Sequence, residues 1–79
     1  MKTYRIFDTE KSLLSQGCIT SSKTPIDAAK EYCKINYPDY LPKRSGGNNV
    51  TISVTEIIVE DGRVYLTGKP SVWYELKQK

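Results

Sequence analysis

The sequence predicts an α+β fold in which one helix packs on a small curved antiparallel sheet or pseudobarrel, with the element order ββαβββ. Three observations support this fold class: strand-like alternation near both ends of the chain, one sharply punctuated helix start, and a hairpin signal in the second half. With 79 residues, of which 38% are apolar and 27% charged, the chain suits a single globular domain over residues 1–79 with one core.

The first two elements are predicted to form a hairpin. Lys2 to Asp8 alternates, so that one face carries Tyr4 and Ile6 and the other carries Arg5 and Phe7. Polar residues from Thr9 to Ser12 supply a turn, and a second short strand, from about Leu14 to Ser21, pairs back on the first.

The helix follows at once. Thr24 can cap it, Pro25 suits its first position, and Asp27 can complete the cap and favour the helix dipole. Helical spacing predicts a packed face, made of Ile26, Ala29, Cys33 and Tyr37. Pro38 ends the helix.

A loop is predicted from Pro38 to Asn49, because the segment is rich in Pro, Gly, Asn and charge. Lys43 and Arg44 lie inside it, next to two glycines. Such a loop can close over phosphates, or it can simply connect two elements.

The second half of the chain predicts three strands. Val50 to Glu60 is rich in β-branched residues, and Asp61-Gly62 joins it as a hairpin to Arg63 to Thr67. Near the turn, Ile57 and Val59 match Val64 and Leu66, whereas Val50, Ile52 and Val54 share a face earlier in the strand. This change of phase predicts a bulge or a sharp coil near Thr55 and Glu56. After a turn from Gly68 to Ser71, the last strand, Val72 to Lys77, places Val72, Tyr74 and Leu76 on one face.

The inventory of side chains argues against catalysis. The chain has no histidine, no phosphate-binding or dinucleotide-binding glycine motif and no acidic metal-binding loop, so we expect no enzyme, no cofactor and no metal. Cys18 and Cys33 are too few for a disulfide scaffold; we expect two semi-buried thiols, with a single disulfide as the alternative. Without an apolar membrane span or a signal-peptide run at Met1 to Arg5, an intracellular location is expected.

Basic and aromatic residues are interleaved in the last third of the sequence. Arg63, Tyr65 and Thr67 lie opposite Val64 and Leu66, and the following turn and strand add Lys69, Pro70 and Trp73. Arg63 and Lys69 can contact phosphates while Trp73 or Pro70 wedges against a base step. In the other interpretation, Trp73 and Tyr65 simply complete a small core.

These features resemble the methanogen chromosomal protein family, small monomeric DNA-bending proteins of archaea with relatives in large DNA viruses. The similarity spans nearly the whole chain in element order. Its most specific parts are a "K-x-P-x-x-A-A-x-K" helix start, matched with one difference in spacing by Lys23, Pro25, Ala28, Ala29 and Lys30, and the segments Thr55-Glu56 and Val64-Tyr65 of the hairpin. The chain differs from the archaeal members in being less basic and in having a shorter last strand, poorer in Lys, Arg and Pro.

The resemblance implies an architectural protein that binds duplex DNA with little sequence preference and bends it. The expected contacts are Lys23, Arg63, Lys69 and Trp73, with Lys43, Arg44, Tyr65 and Pro70 as further candidates. A net charge of only +3 predicts weak, salt-sensitive binding. The family implies a monomer in the nucleoid or in the interior of a host cell.

Two alternatives remain open at this point. The same aromatic residues, Tyr65, Trp73 and Tyr74, can anchor a small protein-interaction or inhibitor module of viral or mobile-element origin. Exposed aromatics on the sheet can also stack on single-stranded nucleic acid. A dimer is a further possibility if Lys2 to Asp8 and Val72 to Lys77 are edge strands that pair between chains.

Overall fold

The computed structural model, which describes residues 1–10 and 18–79, has the expected α+β class. A curled antiparallel sheet of six strands packs against one helix. The elements in chain order are β1 (Lys2–Asp8), β2 (Cys18–Ser22), α1 (Pro25–Asn36), β3 (Tyr40–Arg44), β4 (Ile52–Glu60), β5 (Arg63–Leu66) and β6 (Val72–Gln78). The end of the predicted turn at residues 9–12 and the start of the predicted second strand at residues 14–17 lie outside the described residues. The described part of that strand pairs with β1 as expected.

The start of α1 confirms the capping prediction. The Thr24 hydroxyl accepts a hydrogen bond from the Asp27 N–H at 3.3 Å and donates one to Asp27 Oδ2 at 2.9 Å, while Pro25 takes the first helical position. At the other end the Tyr37 N–H donates to the Cys33 carbonyl at 2.7 Å. The helix therefore begins and ends where its sequence signals lie.

The core forms between α1 and one face of the sheet. Its buried members are Tyr4, Ile6, Ala28, Ala29, Tyr32, Cys33, Ile52, Val54 and Tyr74, with Ile26, Tyr37, Val72 and Leu76 packed around them. The predicted helix face and the predicted face of the last strand are thus confirmed. Cys33 is a free, buried thiol, and burial raises its pKa, with a smaller contribution from the charge of Asp8.

The segment from Pro38 to Asn49 is not wholly a loop, which corrects the prediction. Tyr40–Arg44 forms β3 and pairs with β6, so that Lys43 lies opposite Glu75 and Arg44 lies opposite Tyr74. The proline in β3, Pro42, is tolerated because β3 is the last strand at its side of the sheet. Only the rest of the segment connects elements, with positive φ angles at Gly47 and Asn49.

β4 has no bulge at the predicted change of phase. β4 pairs with β1 in one continuous register from Ile52 to Ile57, through Thr55 and Glu56. On its other edge, β4 pairs with β6 up to Val54 and with β5 from Ile57 onward. Between these two pairings, Thr55 and Glu56 face residues 67–71, which contain more residues than the two they face. The irregularity is therefore beside Thr55 and Glu56, as predicted, but in the partner strand.

The strand order β2-β1-β4-β6-β3 places β1 and β6 inside the sheet, so neither is the free edge that was expected. β5 lies off this path and pairs only with β4. The hairpin of β4 and β5 turns at Asp61 and Gly62, whose φ angles of 53° and 75° are typical of a type I′ turn. Its register matches Ile57 to Leu66 and Val59 to Val64, as predicted.

Candidate binding surfaces

The face of the sheet that does not contact α1 carries large apolar side chains. The pairing register brings residues from β1, β2, β4, β5 and β6 to this face, which we call the open face: Arg5, Phe7, Ile19, Ser53, Thr55, Ile57, Val59, Val64, Leu66 and Trp73. Phe7, Ile19, Val59, Leu66 and Trp73 are each between 42% and 73% exposed. Scattered exposed apolar residues are ordinary, but a set that shares one face marks an interaction surface.

Phe7 and Trp73 flank the middle of the open face. Both lie opposite Ser53, Phe7 from β1 and Trp73 from β6, and the short Ser53 side chain leaves the two rings as projections on either side. Adjacent strands are about 4.8 Å apart, so the two backbones are separated by roughly 10 Å. Beyond Trp73 the loop passes close to its ring, since a Cβ added at Gly47 would lie 3.8 Å from Trp73 Cζ3.

Arg5 adds a positive charge to the open face. Its guanidinium carbon lies 5.5 Å from the centroid of the Phe7 ring, within the range of a cation–π contact. Its Nε is buried and has no hydrogen-bond partner in the described part of the chain. The open face thus combines apolar side chains with one incompletely satisfied arginine.

A second surface lies on the helix side of the sheet, near the start of α1. Lys2, Lys23 and Lys69, which we call the lysine cluster, line a cleft of about 310 Å³ together with Pro70 and Glu56. The Glu56 carboxylate lies 3.4 Å from Lys2 Nζ and 3.5 Å from Lys69 Nζ. Three lysines and one glutamate leave an excess of two positive charges.

Glu56 links two members of the lysine cluster, Lys2 and Lys69, electrostatically. Burial acts to raise the pKa of its carboxyl group, but the hydrogen bond and charge of Lys2 and the charge of Lys69 outweigh burial and lower that pKa. Glu56 is therefore ionised at neutral pH and offsets part of the positive charge that a phosphate would meet.

The residues predicted to bind DNA do not form one surface. Lys23, Lys69 and Pro70 meet at the cleft. Arg63 and Tyr65 lie on the helix side too, but near the turn of the β4–β5 hairpin, opposite Glu60 and Ile58. Trp73 projects from the open face. By strand alternation, Lys43 belongs to the open face and Arg44 to the helix side.

The basic and aromatic residues do not share one face as predicted. Residues 67–71 interrupt the regular alternation of side chains between β5 and β6. Arg63 and Tyr65 come before this irregularity and Trp73 comes after it, so Tyr65 and Trp73 project from opposite faces. Both are 47% exposed and neither belongs to the core, which removes the interpretation that they merely complete it.

Sequence reasoning missed the importance of four residues. Lys2 and Glu56 enter the cleft only because β1 and β4 pair there, and no local pattern announces them. The alternation in β1 predicts that Arg5 and Phe7 share a face, but no motif marks them as site residues. Their alternation with the buried Tyr4 and Ile6 was the signal that could have identified them.

Within residues 1–10 and 18–79, no group of three or more His, Cys, Asp or Glu side chains is placed to hold a metal ion. The helix of the described residues has 12 residues and does not have the length and apolar character of a membrane span.

Comparison with known proteins adds no relative to this description. No protein-family model, no curated protein and no solved structure matches the chain. The resemblance to the methanogen chromosomal proteins therefore stays a prediction from the sequence.

Proposed function

We propose that this protein is a protein-binding module whose contact surface is the open face. The observation that carries the proposal is the shared exposure of Phe7, Ile19, Val59, Leu66 and Trp73 on one side of the sheet. Interfaces between proteins gain most of their affinity from a few aromatic, aliphatic and arginine side chains that become fully desolvated. Trp73, Phe7 and Arg5 supply such side chains near the centre of the surface.

The charges support a protein partner more than duplex DNA. Lys2 and Lys69 share Glu56, Lys43 lies opposite Glu75, and Lys77 is 3.5 Å from the same Glu75. Because DNA affinity depends on the number of phosphates that cations neutralise, lysines already near carboxylates contribute less to it.

A random peptide library displayed on phage, selected against the immobilised protein, tests the proposal. The enriched peptides are synthesised and titrated into isotopically labelled protein, and shifts in amide signals locate their contact surface. We expect the shifts to centre on Phe7, Leu66 and Trp73. Failure to enrich any peptide, or shifts centred on the lysine cluster, would contradict the proposal.

Two variants provide a matched comparison. Leu66→Ser removes an apolar side chain from the open face, and Ile35→Ser removes one of similar exposure, 78% against 73%, from α1. Leu66→Ser should weaken peptide binding roughly tenfold, the effect of about 1.4 kcal/mol. Ile35→Ser should leave binding unchanged; equal effects of the two variants would argue against the open face.

Duplex DNA is the second candidate, and the observation that favours it is the convergence of Lys2, Lys23 and Lys69 beside Pro70. If DNA binds there, log affinity should fall with log salt with a slope near two, because the cluster has an excess of two charges. Gel retardation at low salt of a duplex of about two helical turns measures this slope, with a circular-permutation assay for bending.

The variant Lys23→Glu distinguishes DNA binding at the lysine cluster from general attraction between a positive protein and DNA. It reverses a charge in the cluster, whereas Lys77→Glu makes the same change on β6, away from the cleft. If duplex binding is real at this surface, only Lys23→Glu should abolish retardation. Trp73 lies on the other face of the sheet, so its fluorescence should not respond to DNA bound at the cluster.

A further inference from the structure

One edge of β5 has no partner strand. β5 pairs with β4 alone, and in the part of the chain that the structure describes no strand pairs with its other edge. β3 covers the neighbouring β6 only from Tyr74 onward, and the Ser45 N–H extends this cover to the Trp73 carbonyl at 2.8 Å. From there back to Arg63, no strand of the described residues covers the outer side of residues 67–71 or of β5. We call the uncovered side of β5 the free edge.

Apolar side chains stand on both sides of the sheet beside the free edge. Ile58 and Tyr65 lie on the helix side, and Val59 and Leu66 lie on the open face. Each is between 47% and 73% exposed. A two-stranded ribbon in water gains little stability from such residues, whereas a third strand covers both sides at once.

The free edge has neither proline nor lysine, and its one charged residue, Arg63, stands at its end. Natural edge strands are protected by proline or lysine, as β3 is by Pro42 and Lys43. β5 has the sequence Arg-Val-Tyr-Leu, with neither. Its backbone donors and acceptors are open to another chain.

Two arginines lie at the ends of this uncovered stretch and on the same side of the sheet. Arg44 lies opposite Tyr74, which is opposite Ile52, and Arg63 lies opposite Glu60. Residues 52 and 60 are eight positions apart on β4, which corresponds to roughly 26 Å of extended chain. No ion pair joins either arginine to an acidic residue of the described chain, Glu60 included.

We propose that the free edge of β5 receives an extended segment of a partner protein, with apolar residues at its centre and carboxylates at its ends. This inference rests on the proposed protein-binding function and specifies the partner's chemistry. Main-chain hydrogen bonds supply affinity, alternate apolar side chains cover Tyr65 and Leu66, and the terminal carboxylates meet Arg44 and Arg63.

A second copy of this chain fits the free edge less well. In an antiparallel pair of β5 strands, Arg63 of one copy approaches the Leu66 end of the other, where Lys69 follows. Like charges then come together at both ends of the pairing, which opposes association. An acidic segment has the complementary charge.

The test uses a capped peptide with the sequence Glu-Glu-Val-Thr-Val-Tyr-Glu-Glu, titrated into the labelled 79-residue protein. We expect saturable amide shifts along β5 and at least tenfold slower hydrogen exchange for the β5 amides that gain a partner. Two peptide controls isolate the causes: one carries N-methyl groups on two adjacent central residues, so that neither of its edges can pair, and the other has lysine in place of every glutamate. Each should bind at least tenfold more weakly.

Protein variants test the two arginines. The double variant Arg44→Gln and Arg63→Gln should weaken binding of the acidic peptide at least tenfold and make the residual affinity insensitive to salt. The double variant Lys30→Gln and Lys34→Gln, which removes two charges from exposed positions of α1, should bind the peptide as the unmodified protein does. Equal losses in both variants would show only a general charge effect and overturn the proposed end contacts.

The outcomes separate this inference from the function on which it rests. If library-selected peptides bind the open face but N-methylation changes nothing and the β5 amides exchange as before, the free-edge inference is wrong and the binding function stands. If no peptide binds at all, both fail. If the β5 amides become protected with rising protein concentration and no peptide, the occupant is a second copy and the inference is overturned.

Discussion

At the scale of single residues, Ile57 and Leu66 show that two paired apolar side chains can have different roles, one in stabilising the fold and one in contacting a partner. The two lie opposite each other on the same face, yet Ile57 is 3% exposed and Leu66 is 73% exposed. Burial of an aliphatic side chain stabilises the fold, whereas an exposed one contributes almost nothing. The side chain of Leu66 is therefore available for a partner.

The variants Ile57→Ala and Leu66→Ala should differ strongly in stability. We expect Ile57→Ala to lower the free energy of unfolding by about 2–4 kcal/mol, because it removes buried methyl groups and leaves a cavity. Leu66→Ala should change it by less than about 0.5 kcal/mol. Urea unfolding followed by circular dichroism measures both; a large loss from Leu66→Ala would assign that side chain to the fold.

Asp8 and Tyr37 give a second prediction at this scale, a dependence of stability on pH. Asp8 Oδ2 accepts hydrogen bonds from the hydroxyls of Tyr32 at 2.6 Å and Tyr37 at 2.7 Å, which ties β1 to the end of α1. Burial, with the hydrogen bond and charge of Asp8, raises the pKa of Tyr37 to about 12. An unfolded tyrosine ionises near pH 10.

Between about pH 10 and pH 12 the unfolded chain therefore binds fewer protons than the folded one, so the free energy of unfolding falls as pH rises. Tyr37→Phe should make this fall shallower. A slope remains, because burial also raises the pKa of Tyr4 and Tyr74. Urea unfolding at intervals from pH 7 to 11.5 provides the measurement. The difference between variant and wild type should be constant below pH 9, and a constant difference up to pH 11.5 would disprove the role of Tyr37.

At the scale of elements, the β4–β5 hairpin depends on its turn. Asp61 and Gly62 both have positive φ, a conformation that glycine adopts without strain and a residue with a Cβ does not. Gly62→Ala should cost about 1 kcal/mol or more in free energy of unfolding although its Cβ would meet no other atom within 4 Å.

Gly46→Ala is the matched control for the turn. Its added Cβ would also meet nothing within 4 Å, but Gly46 does not have a positive φ. We expect a change within about 0.5 kcal/mol. If both glycine variants are equally destabilised in thermal unfolding, backbone strain at the turn is not the cause.

At the scale of the whole molecule, the sheet separates two surfaces of different chemistry. The open face carries a group of exposed apolar side chains beside Arg5, with Lys43 and Glu75 at its β3–β6 side, whereas the lysine cluster on the other side is polar and only modestly positive. A ligand of one surface therefore need not compete with a ligand of the other.

A competition experiment tests this separation. Saturating the protein with a library-selected peptide should leave the retardation of duplex DNA, if any is seen, unchanged within twofold. Peptide binding should be nearly independent of salt where apolar contacts dominate, whereas DNA binding should weaken steeply. Mutual displacement would mean that the two ligands share one surface, contrary to the geometry of the sheet.

Much of the fold could be predicted because its signals are local. The Thr24-Pro25-Asp27 cap, the Asp61-Gly62 turn and the alternation in β1 depend on residues close together in the chain, and each is confirmed. β3 was not predicted, since its composition opposes regular structure and its strand conformation depends on pairing with β6, far away in the sequence. A strand of this kind forms because a distant part of the chain pairs with it, and local propensity does not encode such pairing.

The amino-acid sequence by itself determined the α+β class, the helix bounds, most of the core and the alternating faces of β1, β4, β5 and β6, because backbone preferences and side-chain periodicity act over a few residues. Only the tertiary structure decided which faces come together. The irregularity at residues 67–71 places Tyr65 and Trp73 on opposite sides of the sheet, and strand order leaves β5 with a free edge while covering β1 and β6. The physical reason is that sites assembled from several strands depend on pairing register and strand order, which are set by the packing of the whole chain.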